Sequence, residues 1–275
     1  MTGFIYHNEK SFNLIFLDFF NIENKAKGLK EPSGLALSHE GNALWTVSDD
    51  TKKIFKLSLD GDLLKDKSFK IPDKELEGIA LDPSGEFLLV VREDVNEIIK
   101  IKIDTQEVIN RQPLANMAGY EAVAHFFSNG ETNKGLEGIT WNTETGTIFV
   151  IKEFCPGLLV EVSPDLQTIL SHQLLNNESG FLDTELDSDE IDYSDICYDQ
   201  GHNLFWIISD KARRLFLYDW KGNKVIHSSK LSYGKNGEYR EIKSAEGIAI
   251  DSDGNRLYVV SDEKAKLYVF DIRYG

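Results

Sequence analysis

A strand-like unit that returns five times is the feature that most constrains the fold of this chain. Each unit opens with a short apolar segment, passes through a turn rich in Asp, Ser, Asn and Gly, and continues into a second apolar segment that ends in charge. The openings are PSGLALS at 32–38, LEGIALD at 76–82, LEGITWN at 136–142, YSDICYD at 193–199 and AEGIAID at 245–251. Strand-rich repeats of this length are typical of β-propellers, in which each repeat forms one blade around a shared axis.

The repeats therefore predict an all-β, single-domain chain over 1–275, folded as a five-bladed β-propeller, with a six-bladed propeller as the alternative. The fifth unit has no outermost strand of its own, and the apolar segment 12–19 is predicted to supply it, which would close the ring and remove an exposed sheet edge. The alternative is a loose N-terminal arm, which would leave apolar side chains in water. The predicted blades are approximately 31–71, 75–114, 135–175, 192–231 and 244–272.

Three insertions, at 115–134, 176–192 and 232–243, link the outer strand of one blade to the inner strand of the next. All such links emerge on one face of a propeller, and long loops on one face of a rigid scaffold usually mark the working side. The first insertion has helical character and is expected to cover the mouth of the central channel. The second is strongly acidic between 183 and 192 but lacks the spacing of an EF-hand, so we expect a solvated loop.

Three glutamates occupy the same place at the start of an inner strand, and each is followed by Gly: Glu77, Glu137 and Glu246. The ring symmetry brings such positions together at the axis, where like charges repel unless a cation sits between them or one carboxyl keeps its proton. Calcium takes about six to eight oxygen ligands and suits this set better than magnesium. The equivalent positions in the other two blades are Ser33, Ser194 and Asp195, which are secondary candidates.

The alternative to an axial metal is salt bridging, because Arg92 and Lys152 end the strands beside Glu77 and Glu137. Glu246 has no such basic neighbour in the sequence. A second acidic ring is predicted at the ends of the second strands, where it would either hold water around a metal or cap the turns that follow. Its members are Asp49, Glu93, Glu153, Asp210 and Asp262.

Charge and motifs exclude several functions. The net charge of −16 and pI near 4.8 argue against binding to nucleic acid or to anionic lipid. No apolar run spans a membrane, the N-terminus lacks the features of a secretory leader, and the two cysteines lack zinc-site spacing. Nucleophile motifs are absent, and His125, in the first insertion, is only a weak candidate for a catalytic base.

The openings LEGIALD, LEGITWN and AEGIAID, with strands ending in VSDD, VRED, ISD and VSDE, resemble the SdiA-regulated family of bacterial β-propellers over about 33–271. The resemblance implies an envelope-associated protein, in the periplasm or cell envelope, with an axial site suited to calcium or another ligand. It would put Glu77, Glu137 and Glu246 in the binding position, while serine at 33 and 194 breaks the ring of acids.

Three functions stay open from the sequence. The first is a binding protein that holds calcium in an acidic axial pocket and recognises a small-molecule or protein ligand on the loop-bearing face. The second is a calcium-dependent hydrolase of ester, lactone or phosphoester bonds. The third is a passive scaffold. In each case we expect a monomer.

Overall fold

The chain folds into five four-stranded antiparallel sheets, which are the blades of a β-propeller, so the predicted fold is confirmed. The computed structural model describes residues 11–48, 51–127, 134–154, 156–235, 237–253 and 255–275. In blades 1 to 4 the strands follow chain order from the axis outward. The strands of blade 1 are Pro32–Leu37, Ala43–Ser48, Lys53–Ser58 and Phe69–Lys70. Those of blade 2 are Leu76–Leu81, Phe87–Arg92, Glu97–Lys102 and Glu107–Pro113.

The other three blades repeat the pattern. The strands of blade 3 are Leu136–Asn142, Thr147–Lys152, Gly157–Val162 and Ile169–Leu175. Those of blade 4 are Asp195–Asp199, Leu204–Ser209, Arg214–Asp219 and Lys224–Lys230. Those of blade 5 are Ala245–Asp251, Arg256–Ser261, Lys266–Tyr274 and, from the other end of the chain, Phe12–Asn21.

The N-terminal strand closes the ring, as predicted. It runs antiparallel to Lys266–Tyr274, with Phe12 opposite Tyr274 and Asn21 opposite Lys266. Phe12 is 1% exposed, and its ring lies 4.5 Å from that of Trp206 in blade 4. The closing strand thus covers the edge of blade 5 and packs into the groove between blades 4 and 5.

The core lies in the grooves between adjacent blades rather than in one central mass. Each of the five interfaces has its own cluster of buried apolar side chains. Since both faces of a blade are covered by its neighbours, a strand such as Leu204–Ser209 is buried along its whole length. This explains why the second strands read as continuous apolar runs rather than as alternating patterns.

Glycines let the inner strands meet at the axis. A Cβ atom on Gly34 would lie 2.4 Å from the carbonyl oxygen of Glu77, and one on Gly78 would lie 2.5 Å from that of Glu137. Real Cβ atoms do not approach backbone so closely, so these positions require glycine. The inner strands of adjacent blades therefore pack backbone to backbone around the axis.

The insertions depart from expectation in two places. The segment after blade 2 forms three short 3-10 turns, Leu114–Asn116, Tyr120–Ala122 and Ala124–Phe126, and Ala118 pairs with the outer strand of blade 3 through hydrogen bonds of 2.9 Å. Its apolar side chains join the core between blades 2 and 3, so its described part fills a groove and lines no part of the axial cavity. The third insertion adds an unpredicted hairpin, Ser232–Lys235 with Glu238–Glu241.

Blade 1 also has a shorter outer strand than the segment 63–71 that the sequence predicts. Only Phe69–Lys70 pairs as a strand, and a 3-10 turn at Lys65–Lys67 replaces its first half. Among the described residues, no helix has the length and apolar character needed to cross a membrane.

Candidate metal and ligand site on the propeller axis

An acidic cavity of about 350 Å3 lies on the axis, on the face where the inner strands begin and the second strands end. Repeated positions from all five blades converge there, as the ring symmetry predicts. Six of its twelve described lining residues lie at the start of an inner strand or directly before it, and four directly follow a second strand. The other two come from loops. The lining residues are Glu31, Ser33, Glu77, Glu93, Glu137, Glu153, Asp192, Ser194, Asp210, Lys211, Glu246 and Asp262.

β-Bulges aim the axial glutamates into this cavity. The register of blade 3 shifts between Leu136 and Gly138, so Glu137 is the extra residue of a bulge. Glu246 is the extra residue at the matching shift in blade 5, and blade 2 shifts its register over the stretch that holds Glu77. A bulge turns a side chain out of the regular alternation, which here directs three half-buried carboxylates to the axis.

Glu93, Glu137 and Glu153 form the tightest acidic group of the described residues. Each offers a carboxylate oxygen, and these oxygens all lie within 4.8 Å of one another. Without a cation, the closeness of these carboxyls favours keeping a proton on one of them. The group draws on blades 2 and 3 and unites one predicted axial ligand with two members of the predicted second ring.

Gly135 bonds to the carboxylate of Glu93 and to the backbone of Glu153. Its N–H donates to Glu93 Oε1 at 3.2 Å, and its carbonyl oxygen accepts the Glu153 N–H at 3.0 Å. A Cβ atom at this position would lie 2.4 Å from the carbonyl oxygen of Glu93. The second ring therefore does more than cap turns, because it also joins one blade to the start of the next.

The electrostatics of the cavity favour either bound protons or a bound cation. Burial and the charges of Glu77 and Glu93 hold the pKa of Glu137 well above its usual range. Burial and the nearby Asp210 and Asp262 do the same to the pKa of Glu246. The pKa values of Glu93, Asp210 and Asp262 are also raised, mainly by burial.

The carboxyl of Glu153 has a pKa near neutrality. Burial, followed by the charge of Asp192, raises its pKa to about 7, while Lys211 and Lys134 oppose the rise. Both lysines lie over the ring of Phe154, with their ammonium groups 3.9 Å and 4.8 Å from its centre. The rim beside Glu153 thus carries two positive charges on an aromatic support.

The donor set fits a hard cation. The charged lining groups are carboxylates apart from Lys211, and the described lining offers neither a cysteine nor a histidine. An oxygen-rich, half-buried group of this kind could hold a metal ion with donors from several strands.

Asp195 lies below the cavity and holds the blades together. Its carboxylate is fully buried and accepts the N–H groups of Ile196 at 2.8 Å, Ile248 at 2.9 Å and Leu35 at 3.3 Å. Blade 4 thus places an aspartate where the other blades have glycine and links itself to blades 1 and 5. Burial raises the pKa of this carboxyl, and its backbone hydrogen bonds oppose the rise.

The remaining candidates lie elsewhere. Arg92 forms an ion pair with Asp94 at 2.8 Å and does not line the cavity. Lys152 donates to the carbonyl oxygen of Phe154 and also does not line it. His125 is exposed, on the turn that packs against blade 3. Asp49 falls outside the described residues.

Three lining residues were not predicted: Glu31, Asp192 and Lys211. Asp192 was assigned to the solvated acidic loop, but it is 4% exposed and accepts Ser209 Oγ at 2.6 Å and the Lys211 N–H at 3.0 Å. Asp183, in the same loop, has a buried carboxylate 3.0 Å from Arg214 Nε. Glu31 lies directly before the inner strand of blade 1, and Asp192 lies three residues before that of blade 4. These positions near strand starts were the available signal.

A model of the SdiA-regulated family matches residues 18–271. The chain belongs to the SdiA-regulated family. The match covers most of the chain and confirms the resemblance carried by the repeated openings. It includes the axial cavity and every one of its described lining residues.

The solved structure of a glutaminyl cyclase supports the fold. Glutaminyl cyclase from Myxococcus xanthus is 12% identical, with a TM-score of 0.63, and the alignment covers 95% of this chain and 97% of that chain. The β-propeller domain of Cps50 (Swd1) from Myceliophteria thermophila is 11% identical, with a TM-score of 0.47 over 90% of this chain. This chain spans 65% of the length of that propeller chain. At such identities the likeness concerns the fold alone.

Proposed function

We propose that this protein is a binding protein that holds a calcium ion in the acidic axial cavity and uses it to recognise a ligand on the loop-bearing face. The observation that carries the proposal is the group of carboxylate oxygens from Glu93, Glu137 and Glu153 within 4.8 Å of one another. A divalent cation there would neutralise a repulsion that otherwise keeps carboxyls protonated. Glu77 and Glu246 line the same cavity and are proposed to complete the oxygen shell.

The rim supports an anionic ligand group. Lys211 and Lys134, stacked on Phe154, stand beside Glu153 at the edge of the cavity. A carboxylate or phosphate on the ligand could bind the calcium ion and one of these ammonium groups together. The cavity volume of about 350 Å3 admits a small molecule or a side chain of a partner protein.

Calorimetric titration of calcium into chelator-treated protein tests the cation. The wild type is expected to bind with one-site stoichiometry and to melt at a higher temperature when calcium is added. Glu137→Gln, which removes the central carboxylate, is expected to weaken binding by at least about a hundredfold, roughly the loss of one charged ligand. Glu178→Gln, an exposed glutamate outside the cavity, is the matched control for charge.

The melting temperatures separate the two accounts of the acidic cluster. Without calcium, Glu137→Gln is expected to melt higher than the wild type, because it relieves repulsion. With calcium, the order is expected to reverse. If calcium produces neither heat nor a melting shift, and Glu137→Gln stays the more stable protein throughout, the axial metal is wrong.

A second candidate function is metal-dependent hydrolysis, which rests on Glu153. A carboxyl whose pKa is about 7 is well poised as a general base at neutral pH. Calcium at Glu93 and Glu137 would polarise an ester, lactone or phosphoester, and Glu153 would activate water. The glutaminyl cyclase is an enzyme with the same propeller architecture, which is compatible with a hydrolase.

Turnover assays decide between binder and hydrolase. Aryl esters, lactones and bis-aryl phosphates are offered to calcium-loaded wild type and to Glu153→Gln. Turnover that is lost in Glu153→Gln while calcium still binds supports the hydrolase. Calcium binding without turnover on any of these substrates leaves the binding protein as the function.

We further propose that the protein acts at the bacterial cell envelope as a monomer, on the strength of the family resemblance and the closed ring. Fractionation of cells expressing the natural gene tests the location. Light scattering of the purified protein tests the oligomeric state.

A further inference from the structure

A second hollow, of about 170 Å3, lies on the outer part of blade 1, away from the axial cavity. Its rim carries four lysines, and its floor is apolar. The hollow is lined by the third and outer strands of blade 1, by the turn before the outer strand and by the loop at 22–31. The lining residues are Lys27, Lys53, Phe55, Leu63, Lys65, Ser68, Phe69 and Lys70.

Two of these lysines face each other directly across a pair of strands. Lys53 and Lys70 are antiparallel partners, which places their Cβ atoms about 5 Å apart. Like charges in this position destabilise a sheet unless something compensates for them. Lys53 is also held in place, because its ammonium group donates to the carbonyl oxygen of Lys27.

The described part of the chain places no carboxylate in ion-pair contact with the lysines of this rim. Among the described residues, no carboxylate lies within 4.0 Å of the ammonium groups of Lys27, Lys53, Lys65 or Lys70. The chain has 46 acidic residues against 30 lysines and arginines, so carboxylates are abundant elsewhere. On blade 2, by contrast, Arg111 pairs with both Asp73 and Glu97. Four lysines without acidic partners among the described residues of so acidic a chain point to a counter-ion from outside.

We propose that this hollow binds a phosphate monoester carried on a ring-sized apolar group. A phosphate dianion matches several ammonium groups around one hollow, which lysine provides as point charges. The floor of Phe55, Leu63 and Phe69 suits an apolar body. The volume is close to that of an engineered apolar cavity of about 150 Å3 that accepts benzene. The site is independent of the axial cavity and of any calcium there.

Titration calorimetry on chelator-treated protein tests the site with phenyl phosphate as the probe. Phenyl phosphate is expected to bind saturably, more tightly than inorganic phosphate or benzyl alcohol, and more weakly as salt is raised. Vesicles of phosphatidylcholine with and without phosphatidic acid form a separate arm. Binding to the phosphatidic acid vesicles alone would assign the same phosphate chemistry to a lipid headgroup rather than to a soluble ligand.

The double variant Lys65→Gln/Lys70→Gln removes two exposed ammonium groups that make no hydrogen bond within the described residues. It is expected to weaken phenyl phosphate binding by about tenfold or more, because two charges leave a partly solvated site. Lys224→Gln/Lys243→Gln removes the same charge from exposed positions elsewhere and is expected to change affinity less than about twofold. The proposal fails if neither phenyl phosphate nor the phosphatidic acid vesicles bind at up to millimolar phosphate. It also fails if the two double variants bind alike.

Discussion

The raised pKa of Glu153 predicts that the calcium-free protein becomes less stable as the pH rises toward neutrality. In the unfolded chain this carboxyl ionises near pH 4.5, whereas in the folded protein it keeps its proton until about pH 7. Between these values the unfolded state alone gains the charge. The free energy of unfolding therefore falls as the pH rises through this window, and the contribution of Glu153 is constant above it.

The magnitude follows from the size of the shift. Each pKa unit corresponds to about 1.4 kcal/mol, so a rise from 4.5 to about 7 amounts to at most about 3.5 kcal/mol. Glu153 is only half-buried, and solvent screening reduces this figure to roughly 1–2 kcal/mol. Other groups titrate in the same range, so the informative quantity is the difference between variants.

Urea denaturation in chelator, at about pH 5 and about pH 7.5, measures this difference. Wild type and the surface control Glu178→Gln are expected to lose stability over the interval. Glu153→Gln, which cannot ionise, is expected to lose roughly 1–2 kcal/mol less. Calcium added at the higher pH is expected to restore the wild type more than Glu153→Gln. If Glu153→Gln follows the same pH dependence as Glu178→Gln, the electrostatic account of the cavity is refuted.

Three further predictions concern how the site is built and closed. Asp195→Asn places an amide group among backbone N–H donors, and it is expected to lower the free energy of unfolding, measured with urea, by about 2–4 kcal/mol. A decrease under about 0.5 kcal/mol would contradict the role of Asp195 in joining the blades. Gly135→Ala is expected to reduce the calcium affinity measured by calorimetry, because the added Cβ displaces Glu93. An unchanged affinity would show that Gly135 does not position Glu93 for calcium. Phe12→Ala removes the contact between the closing strand and Trp206 and is expected to lower the free energy of unfolding by about 3–5 kcal/mol. A melting temperature close to that of the wild type would show that the ring closes without this contact.

Much of the fold could be predicted because its signals are local. The turns that join inner to second strands carry Asp, Asn and Gly in repeated order, and the apolar runs that follow have the length of strands. The repeat then supplies the symmetry, which places Glu77, Glu137 and Glu246 around one axis. Local rules missed the short outer strand of blade 1, where the turn at Lys65–Lys67 replaces half of the predicted strand.

The composition of the tight carboxylate group was decided by tertiary structure. Glu93 and Glu153 end the second strands of neighbouring blades, 60 residues apart. Gly135 links them through the carboxylate of Glu93 and the backbone N–H of Glu153. Nothing local to either glutamate shows that contact, since it depends on how closely two blades pack.

The amino-acid sequence by itself determined that the chain forms a ring of blades with acids at its centre, since turn chemistry and apolar patterning act over a few residues and repeat. Tertiary structure alone decided which acids touch, why Asp192 leaves solvent, and why Lys53 faces Lys70. Those outcomes depend on the register between strands and on the distance between blades, which arise only when segments far apart in the chain pack together.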